Sequence, residues 1–148
     1  MARPGAPAAR GYRARGDPAL TAEGRRNAAA AELELADEEL RVADHLLELG
    51  HPRIALARAY FAVFHAVRAR LYADGLEPRS HGGVQHLWNA HLVKPGVYDP
   101  ATSRLLARLQ KFREEADYAR AFVVDDAGAR EEIAAARGLV ERIKRELA

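Results

Sequence analysis

Four polar residues whose side chains could do chemistry stand close together in the stretch Arg79-Ser80-His81-Gly-Gly-Val-Gln-His86. The stretch follows a loop with Gly and Pro and precedes an apolar helical pattern, so it lies where a loop becomes a helix. A helix N-terminus attracts phosphate, and an arginine adds charge-assisted hydrogen bonds. An imidazole shuttles protons near neutral pH. A cation, a hydroxyl and two imidazoles therefore suit cleavage of an RNA phosphodiester without a metal ion.

The same stretch also has a purely structural interpretation, which stays open at this point. Ser80 is a favourable N-cap residue for the helix that follows. His81 would then bond to nearby backbone, and Gly82 and Gly83 would permit close packing of a neighbouring element.

A second polar cluster, Arg113-Glu-Glu-Ala-Asp117-Tyr118, lies on a later helical segment. Arg113 falls at the border of the apolar face of that segment, beside Leu109. Asp117 follows four residues later, which is the spacing of a helical ion pair. An arginine at such a border either belongs to a half-buried structural network or points into a cleft.

The segment 58–72, RAYFAVFHAVRARLY, is predicted to be the central helix that positions both clusters. It holds no Gly or Pro, and its bulky residues recur at helical spacing. A strip of alanines would let a neighbour approach closely, either within the chain or across a dimer seam. Three stripes share the helix surface: Leu56, Tyr60, Phe64, Val67 and Leu71 form a bulky one, Ile54, Phe61, His65, Arg68 and Tyr72 a mixed one, and Ala55, Ala59, Ala62, Ala66 and Ala69 the alanine strip.

The other apolar patterns also have the helical period, and none alternates as a strand would. Short connections with Gly and Pro make consecutive helices antiparallel neighbours. The sequence therefore predicts an all-α protein, an antiparallel up-and-down bundle of four long helices plus one short helix. The predicted helices are 23–49, 52–73, the short 81–91, 100–120 and 127–147, with a loop at 123–126. In the short helix Val84, Leu87, Trp88 and His91 are predicted to face inward, and in the first helix Leu35, Val42, Leu46 and Leu49 are predicted to widen the apolar face.

The composition suits one domain with a core of its own and excludes several classes of site. The chain has 148 residues, of which 49% are hydrophobic, and no cysteine, so it has no disulfide and no thiolate ligand or nucleophile. We find no zinc-binding His pair and no phosphate-cradling glycine loop, and we predict no metal and no cofactor. No apolar run approaches the length of a membrane span, and the N-terminus lacks a secretory signal, which favours a cytoplasmic protein.

Residues 1–22 are predicted to form a disordered basic tail, and residues 23–148 the folded domain. The tail has almost no bulky apolar side chain, so little burial offsets its ordering entropy. Residues 1–26 hold six of the 23 basic and two of the 21 acidic residues, which leaves 17 and 19 for the rest of the chain. The basicity therefore belongs to the tail, which is either an RNA-attracting arm or an upstream start of translation.

Three motifs, taken in this order, resemble the HEPN superfamily. They are Ala59-Tyr-Phe-Ala-Val-Phe-His65-Ala, Arg79-Ser80-His81-Gly-Gly-Val84 and Arg113-Glu-Glu-Ala-Asp117-Tyr118. The resemblance covers about residues 28–147 and is strongest to small stand-alone HEPN proteins whose genes often lie beside a minimal nucleotidyltransferase. It implies a helical bundle that forms a homodimer and associates with RNA or nucleotide. Many members are metal-independent ribonucleases that act as toxins through an Arg and a His separated by four to six residues.

The resemblance transfers to this chain with one gap. The late arginine of the family matches Arg113, but no histidine follows it at the family's spacing. Arg79 and His86 have that spacing, yet they lie before the short helix. We therefore expect Arg113 to clamp the phosphate, with His81 or His86 supplied by the neighbouring loop as the proton shuttle. The residues expected to bind RNA or nucleotide are Arg79, Ser80, His65, Asp117 and Tyr118, of which Tyr118 is also a candidate target for nucleotide transfer.

Two functions from different classes follow. The first is an RNA-cleaving toxin, a metal-independent endoribonuclease that a nucleotidyltransferase antitoxin neutralises. The second is a non-catalytic binding module that recruits or regulates the nucleotidyltransferase. The superfamily favours the first, whereas the missing late histidine and the mildly acidic domain favour the second. A helical dimer with only a structural role is the third option.

Overall fold

The computed structural model describes residues 21–116 and 124–148, and every regular element within them is a helix. In chain order these are α1 (Ala22–Glu48), α2 (Pro52–Ala73), α3 (His81–Trp88) with a π-helical turn over Asn89–Val93, α4 (Pro100–Ala116) and α5 (Asp126–Leu147). The predicted all-α bundle of four long helices and one short helix is confirmed. The predicted tail, apart from residues 21 and 22, and the residues 117–123 lie outside the described part of the chain.

Helices α1 and α2 form an antiparallel pair joined by a tight turn. α1 begins at the N-cap Thr21, whose hydroxyl accepts a hydrogen bond from the backbone N–H of Gly24 at 2.9 Å. It ends before Gly50, whose φ of +82° is a left-handed conformation that favours glycine. Pro52 then occupies the first turn of α2, where its missing N–H costs no helical hydrogen bond.

The alanine strip of α2 is buried inside this chain. All five alanines have no exposed surface. The strip lies next to Arg58 and His65 on the helix circumference, and these two residues pair with carboxylates of α1 at 3.2 and 2.7 Å. The strip therefore faces α1, and the small side chains let the two helix backbones approach closely. Of the two interpretations of the strip, the structure supports the contact within the chain.

The third helical segment differs from its prediction at its C-terminal end. The N–H of Lys94 donates to the carbonyl of Asn89 at 2.8 Å, an i→i+5 bond that widens the last turn. The wider turn changes the phase of the helix, so that Leu92 and Val93 are buried and His91 is exposed. The prediction that His91 faces inward is therefore wrong, whereas the burial of Val84, Leu87 and Trp88 is confirmed.

A second correction concerns the outer side of α1. Leu35, Val42 and Leu49 are 42%, 38% and 71% exposed, so they do not widen the buried face as predicted. These residues recur every seven positions, as do the buried Leu40 and Leu47. The sequence therefore shows two apolar rows, and the register against α2 decides which of them is covered.

Helices α4 and α5 complete the bundle by packing on α2. Asp99 precedes α4 and accepts a hydrogen bond from the N–H of Ala101 at 2.7 Å, and Asp125 caps α5 by accepting from Gly128 at 2.6 Å. The buried residues of both helices recur at helical spacing: Leu105, Leu106 and Leu109 in α4, and Ile133, Ala136, Leu139, Val140 and Ile143 in α5. None of the described helices has the length and apolar character needed to cross a membrane.

Candidate functional site

The loop after α2 delivers His81 to the first position of α3. Ser80 is the N-cap of this helix, and its hydroxyl accepts a hydrogen bond from the backbone N–H of Gly83 at 2.9 Å. The backbone of Ser80 is extended, as an N-cap requires, so the chain turns sharply into the helix at this residue. The cap therefore sets the direction in which the side chain of His81 leaves the helix.

The imidazole of His81 lies against an aromatic pocket on α2. Its ring centroid is 4.4 Å from that of Phe64 and 5.6 Å from that of Tyr60, with the planes nearly parallel at 27° and 28°. Phe61 meets the imidazole edge-on at 6.3 Å. Nδ1 of His81 also shares a hydrogen bond with the hydroxyl of Tyr60. The imidazole is thus held by a side chain, where the structural interpretation expected the backbone.

The guanidinium of Arg113 packs over the same pocket from α4. Its Cζ atom lies 5.8 Å from the ring centroid of Tyr60 and 5.7 Å from that of Phe61, within cation–π range. Its Nε is buried and has no hydrogen-bond partner among residues 21–116 and 124–148. Tyr60 and Phe61 are therefore shared packing partners of His81 and Arg113.

The surroundings of the pocket keep His81 neutral. Burial, followed by the positive charges of Arg113 and Arg68, lowers the pKa of His81 below its ordinary value, while Glu114 acts in the opposite direction. Burial raises the pKa of Tyr60 to about 12, so its hydroxyl stays protonated at neutral pH. A neutral imidazole can accept a proton at Nε2 when its Nδ1–H donates to the oxygen of Tyr60.

Helix α1 contributes a carboxylate to the edge of the pocket. Glu32 contacts Nδ1 of His65 at 2.7 Å and Nη1 of Arg68 at 3.6 Å. The guanidinium of Arg68 lies 5.5 Å from the ring of Phe64, against which the ring of His81 is stacked. The mixed stripe of α2 therefore carries its polar groups to the same side as His81.

We expect His81 to titrate below the ordinary histidine pKa of about 6.5, because burial and two arginines disfavour its charged form. Replacing Arg113 with glutamine should raise this pKa, and the ring-proton NMR signals of His81 measure the change. Lys111→Gln is the control, since Lys111 is an exposed cation on the same helix. Because the folded-state pKa is the lower one, the contribution of His81 to stability falls as the pH drops below about 6.5. An unchanged pKa in Arg113→Gln would contradict this placement of the two residues.

The other residues predicted for the site do not all lie beside this pocket. His86 follows His81 by five residues, which places it about 140° further around the helix, and it lines a separate groove between α3 and α4. Arg79 is exposed in the loop before the cap. Asp117 and Tyr118 lie outside the described residues, so their roles stay predictions. Within the described part of the chain, His, Asp and Glu form no group of three that could hold a metal ion.

The pocket also contains two groups that sequence reasoning did not single out for the site. In the sequence, Tyr60 is one member of the bulky stripe. A buried phenol hydroxyl needs a hydrogen-bond partner, and this requirement could have marked Tyr60 as a residue of the site. Glu32 looks like an ordinary surface acid. Its pairing with α2 depends on the register of two helices that are distant in sequence, so no local signal marks it.

The family comparison concerns the whole helical domain. A family model described as the HEPN domain matches residues 29–147, well over half of the chain. The chain belongs to the HEPN domain family. The matched range includes the capped loop, the aromatic pocket and Arg113, so the resemblance inferred from the three motifs is confirmed.

Relatives of this HEPN chain carry two kinds of name. The chain is 35% identical over 86 residues to a Methanocaldococcus jannaschii protein named "Putative toxin MJ0605", covering 58% of this chain and 64% of that protein. It is 36% identical over 74 residues to "UPF0332 protein PH1297" of Pyrococcus horikoshii, covering 50% of this chain and 52% of that protein. It is 24% identical over 86 residues to "Putative toxin MJ0142" of M. jannaschii, covering 58% of each chain. This HEPN chain thus spans between half and two thirds of the length of these relatives.

Proposed function

We propose that this HEPN protein is a toxin that cleaves RNA without a metal ion. One observation carries the proposal: His81 and Arg113 come from different helices, yet both pack against the rings of Tyr60 and Phe61. A proton acceptor and a fixed cation therefore border the same small volume. The names of two relatives support the toxin part of the proposal.

In the proposed reaction, the 2′-hydroxyl oxygen of the RNA attacks the adjacent phosphorus. Nε2 of His81 takes the hydroxyl proton, while its Nδ1–H donates to the oxygen of Tyr60. Arg113 stabilises the negative charge that develops on the phosphorane oxygens. As the new oxygen–phosphorus bond forms, the bond to the 5′-oxygen breaks, and this oxygen takes a proton from water. The products are a 2′,3′-cyclic phosphate and a 5′-hydroxyl end.

The electrostatics of the pocket suit a histidine that acts as a base. The lowered pKa keeps the imidazole of His81 in its proton-accepting form at neutral pH. The charges of Arg113 and Arg68 also disfavour the protonated ring once it forms, so the ring releases its proton to solvent and returns to its active state. The positive charge of Arg113 also attracts the phosphate backbone of the substrate.

We further propose that the toxin acts as a homodimer and that a minimal nucleotidyltransferase neutralises it. Both expectations rest on the resemblance of the three motifs to stand-alone HEPN proteins that are paired with such an enzyme. Light scattering on the purified chain gives the number of copies.

A non-catalytic module that binds nucleotide and regulates a nucleotidyltransferase is the second candidate. One observation favours it: His65, the other imidazole near this pocket, is already bonded to Glu32 at 2.7 Å. Its Nδ1 belongs to this pair between α1 and α2, and the proposed reaction uses water, not a side chain, to protonate the leaving oxygen. A pocket of this kind can hold a phosphate without breaking its ester bond.

Cleavage and growth assays on the full chain distinguish the two candidate functions. We expect the purified protein to cleave single-stranded RNA in the presence of EDTA and to leave cyclic phosphate ends, which mass spectrometry identifies. We also expect its expression alone to arrest growth, and co-expression of a nucleotidyltransferase encoded beside it to relieve the arrest. Stable RNA binding without cleavage and without growth arrest would contradict the ribonuclease and favour the binding module.

A further inference from the structure

A groove of about 520 Å³ lies between α3 and α4, next to the pocket that holds His81. This volume falls within the range of small-molecule binding sites. Its lining includes an arginine, an imidazole, two side-chain amides and a hydroxyl, together with apolar surface to which Leu106 contributes. The polar lining residues are Gln85, His86, Asn89, Ser103 and Arg104.

The groove begins one residue after His81 along α3. Gly82, which immediately follows His81, lines the groove, and a side chain at this position would meet only open space. Gly82 is the second residue of α3, and no close contact requires a glycine there. Its lack of a side chain leaves open the end of the groove nearest His81.

A bridge of two glutamines joins α3 to α4. The side-chain amide of Gln85 on α3 donates to the side-chain oxygen of Gln110 on α4. Gln110 lies three residues before Arg113, and Gln85 lies four residues after His81. The bridge therefore ties the helix that carries the imidazole to the helix that carries the guanidinium, and one of its two members also lines the groove.

The charge of the groove suits a polyanion. None of its described lining residues is acidic, and no carboxylate of the described chain is found paired with Arg104 or His86. A second groove of about 530 Å³, between α4 and α5, also has arginines in its lining. There Arg108 is bound to Glu132 at 2.7 Å and Arg142 to Glu146 at 3.0 Å. The charges of Arg108 and Arg142 are therefore neutralised. Arg104 lines both grooves, but only the groove between α3 and α4 adds an imidazole and two side-chain amides to it.

We propose that the groove between α3 and α4 binds the nucleotides that flank the scissile bond in the RNA strand. Arg104 and His86 contact a phosphate, and the amides of Gln85 and Asn89 contact a base edge or a 2′-hydroxyl. From His81 to Asn89 the helix extends by about 12 Å at about 1.5 Å per residue, the length of roughly four stacked nucleotides at 3.4 Å each. The proposal rests on the proposed function, since it takes the pocket of His81 as the place of cleavage.

The test compares a short and a long RNA on the full chain. The probes are a fluorescein-labelled dinucleotide and a labelled octanucleotide of randomised sequence, both with 2′-O-methyl groups that block cleavage. Arg104→Ala is expected to weaken octanucleotide binding about tenfold. It should also lower by about one the number of counterions released on binding, which the slope of log affinity against log salt concentration measures. It should leave dinucleotide binding unchanged. His86→Ala is expected to act in the same direction.

Arg41→Ala is the matched control, because Arg41 is an exposed arginine of α1 on another side of the bundle. One outcome is that the two variants bind the octanucleotide with equal affinity while both are folded and cleave RNA. This result would contradict RNA binding in the groove but not the proposed ribonuclease activity. A length-dependent loss in Arg104→Ala without any cleavage of unmodified RNA would support the groove and overturn the ribonuclease. Absence of binding to both probes at the salt concentration used for cleavage would overturn the groove.

Discussion

Replacing His81 with alanine will lower the rate of RNA cleavage by roughly 10²- to 10⁴-fold, the usual contribution of a general base. Replacing Arg113 with alanine will lower it by roughly 10²- to 10³-fold, because the phosphorane then loses its fixed cation. Single-turnover cleavage of a labelled RNA by the purified full chain measures both. Growth arrest on expression should disappear in parallel.

Matched variants separate chemistry from folding in this experiment. Lys111→Ala removes an exposed cation from the same helix as Arg113 and should cleave at the wild-type rate. Tyr60→Phe keeps the ring but removes the hydroxyl bonded to Nδ1 of His81, so it should shift the pH profile of cleavage. Circular dichroism and thermal melting establish that each variant is folded. Wild-type rates in both His81→Ala and Arg113→Ala would place the reaction elsewhere.

The same experiment distinguishes the two histidines that the sequence offers as proton shuttles. His86 lines the groove and lies on another side of α3 from His81. Its replacement by alanine should therefore raise the RNA concentration needed for half-maximal rate and change the rate at saturation little. A loss of saturated rate in His86→Ala as large as that in His81→Ala would contradict this division of roles.

Replacing Ala62 with leucine will lower the free energy of unfolding by about 1–3 kcal/mol, because the alanine has no exposed surface and lies in the strip that faces α1. The added atoms must push α1 and α2 apart or force side chains out of their preferred rotamers. Displacing α1 would also weaken the contact of Glu32 with His65 and Arg68. Urea unfolding followed by circular dichroism measures the change.

The control for this prediction is Ala134→Leu, which makes the same substitution at an exposed position of α5. Alanine and leucine differ little in helix propensity, so the stability of the control should change by less than about 0.5 kcal/mol. If both variants were equally stable, the contact between α1 and α2 would have enough space for a leucine side chain. The packing of α1 on α2 would then not require an alanine at this position.

Local chemistry was enough to predict the elements of this protein. The period of the apolar residues and the N-cap residue Ser80 predict helices whose ends, where they fall within residues 21–116 and 124–148, agree with the structure to within a few residues. The prediction that His91 faces inward was wrong because one π-helical turn shifts the phase of the helix. The spacing of apolar residues does not predict such a turn. Motif order also sufficed to predict the family, since three motifs with their spacing constrain the alignment of the whole domain.

The sequence by itself determined that the chain is an all-α bundle, and it offered Arg113, His81 and His86 as the candidate catalytic groups. Only the tertiary structure decided that Arg113 and His81 share the rings of Tyr60 and Phe61, and that His86 lines a different groove. Residues 81 and 86 are equivalent in sequence terms, because each is an imidazole near a helix start. Their difference arises from the way α3 is rotated against α2 and α4. That rotation results from the packing of side chains distant in sequence, which no local pattern specifies.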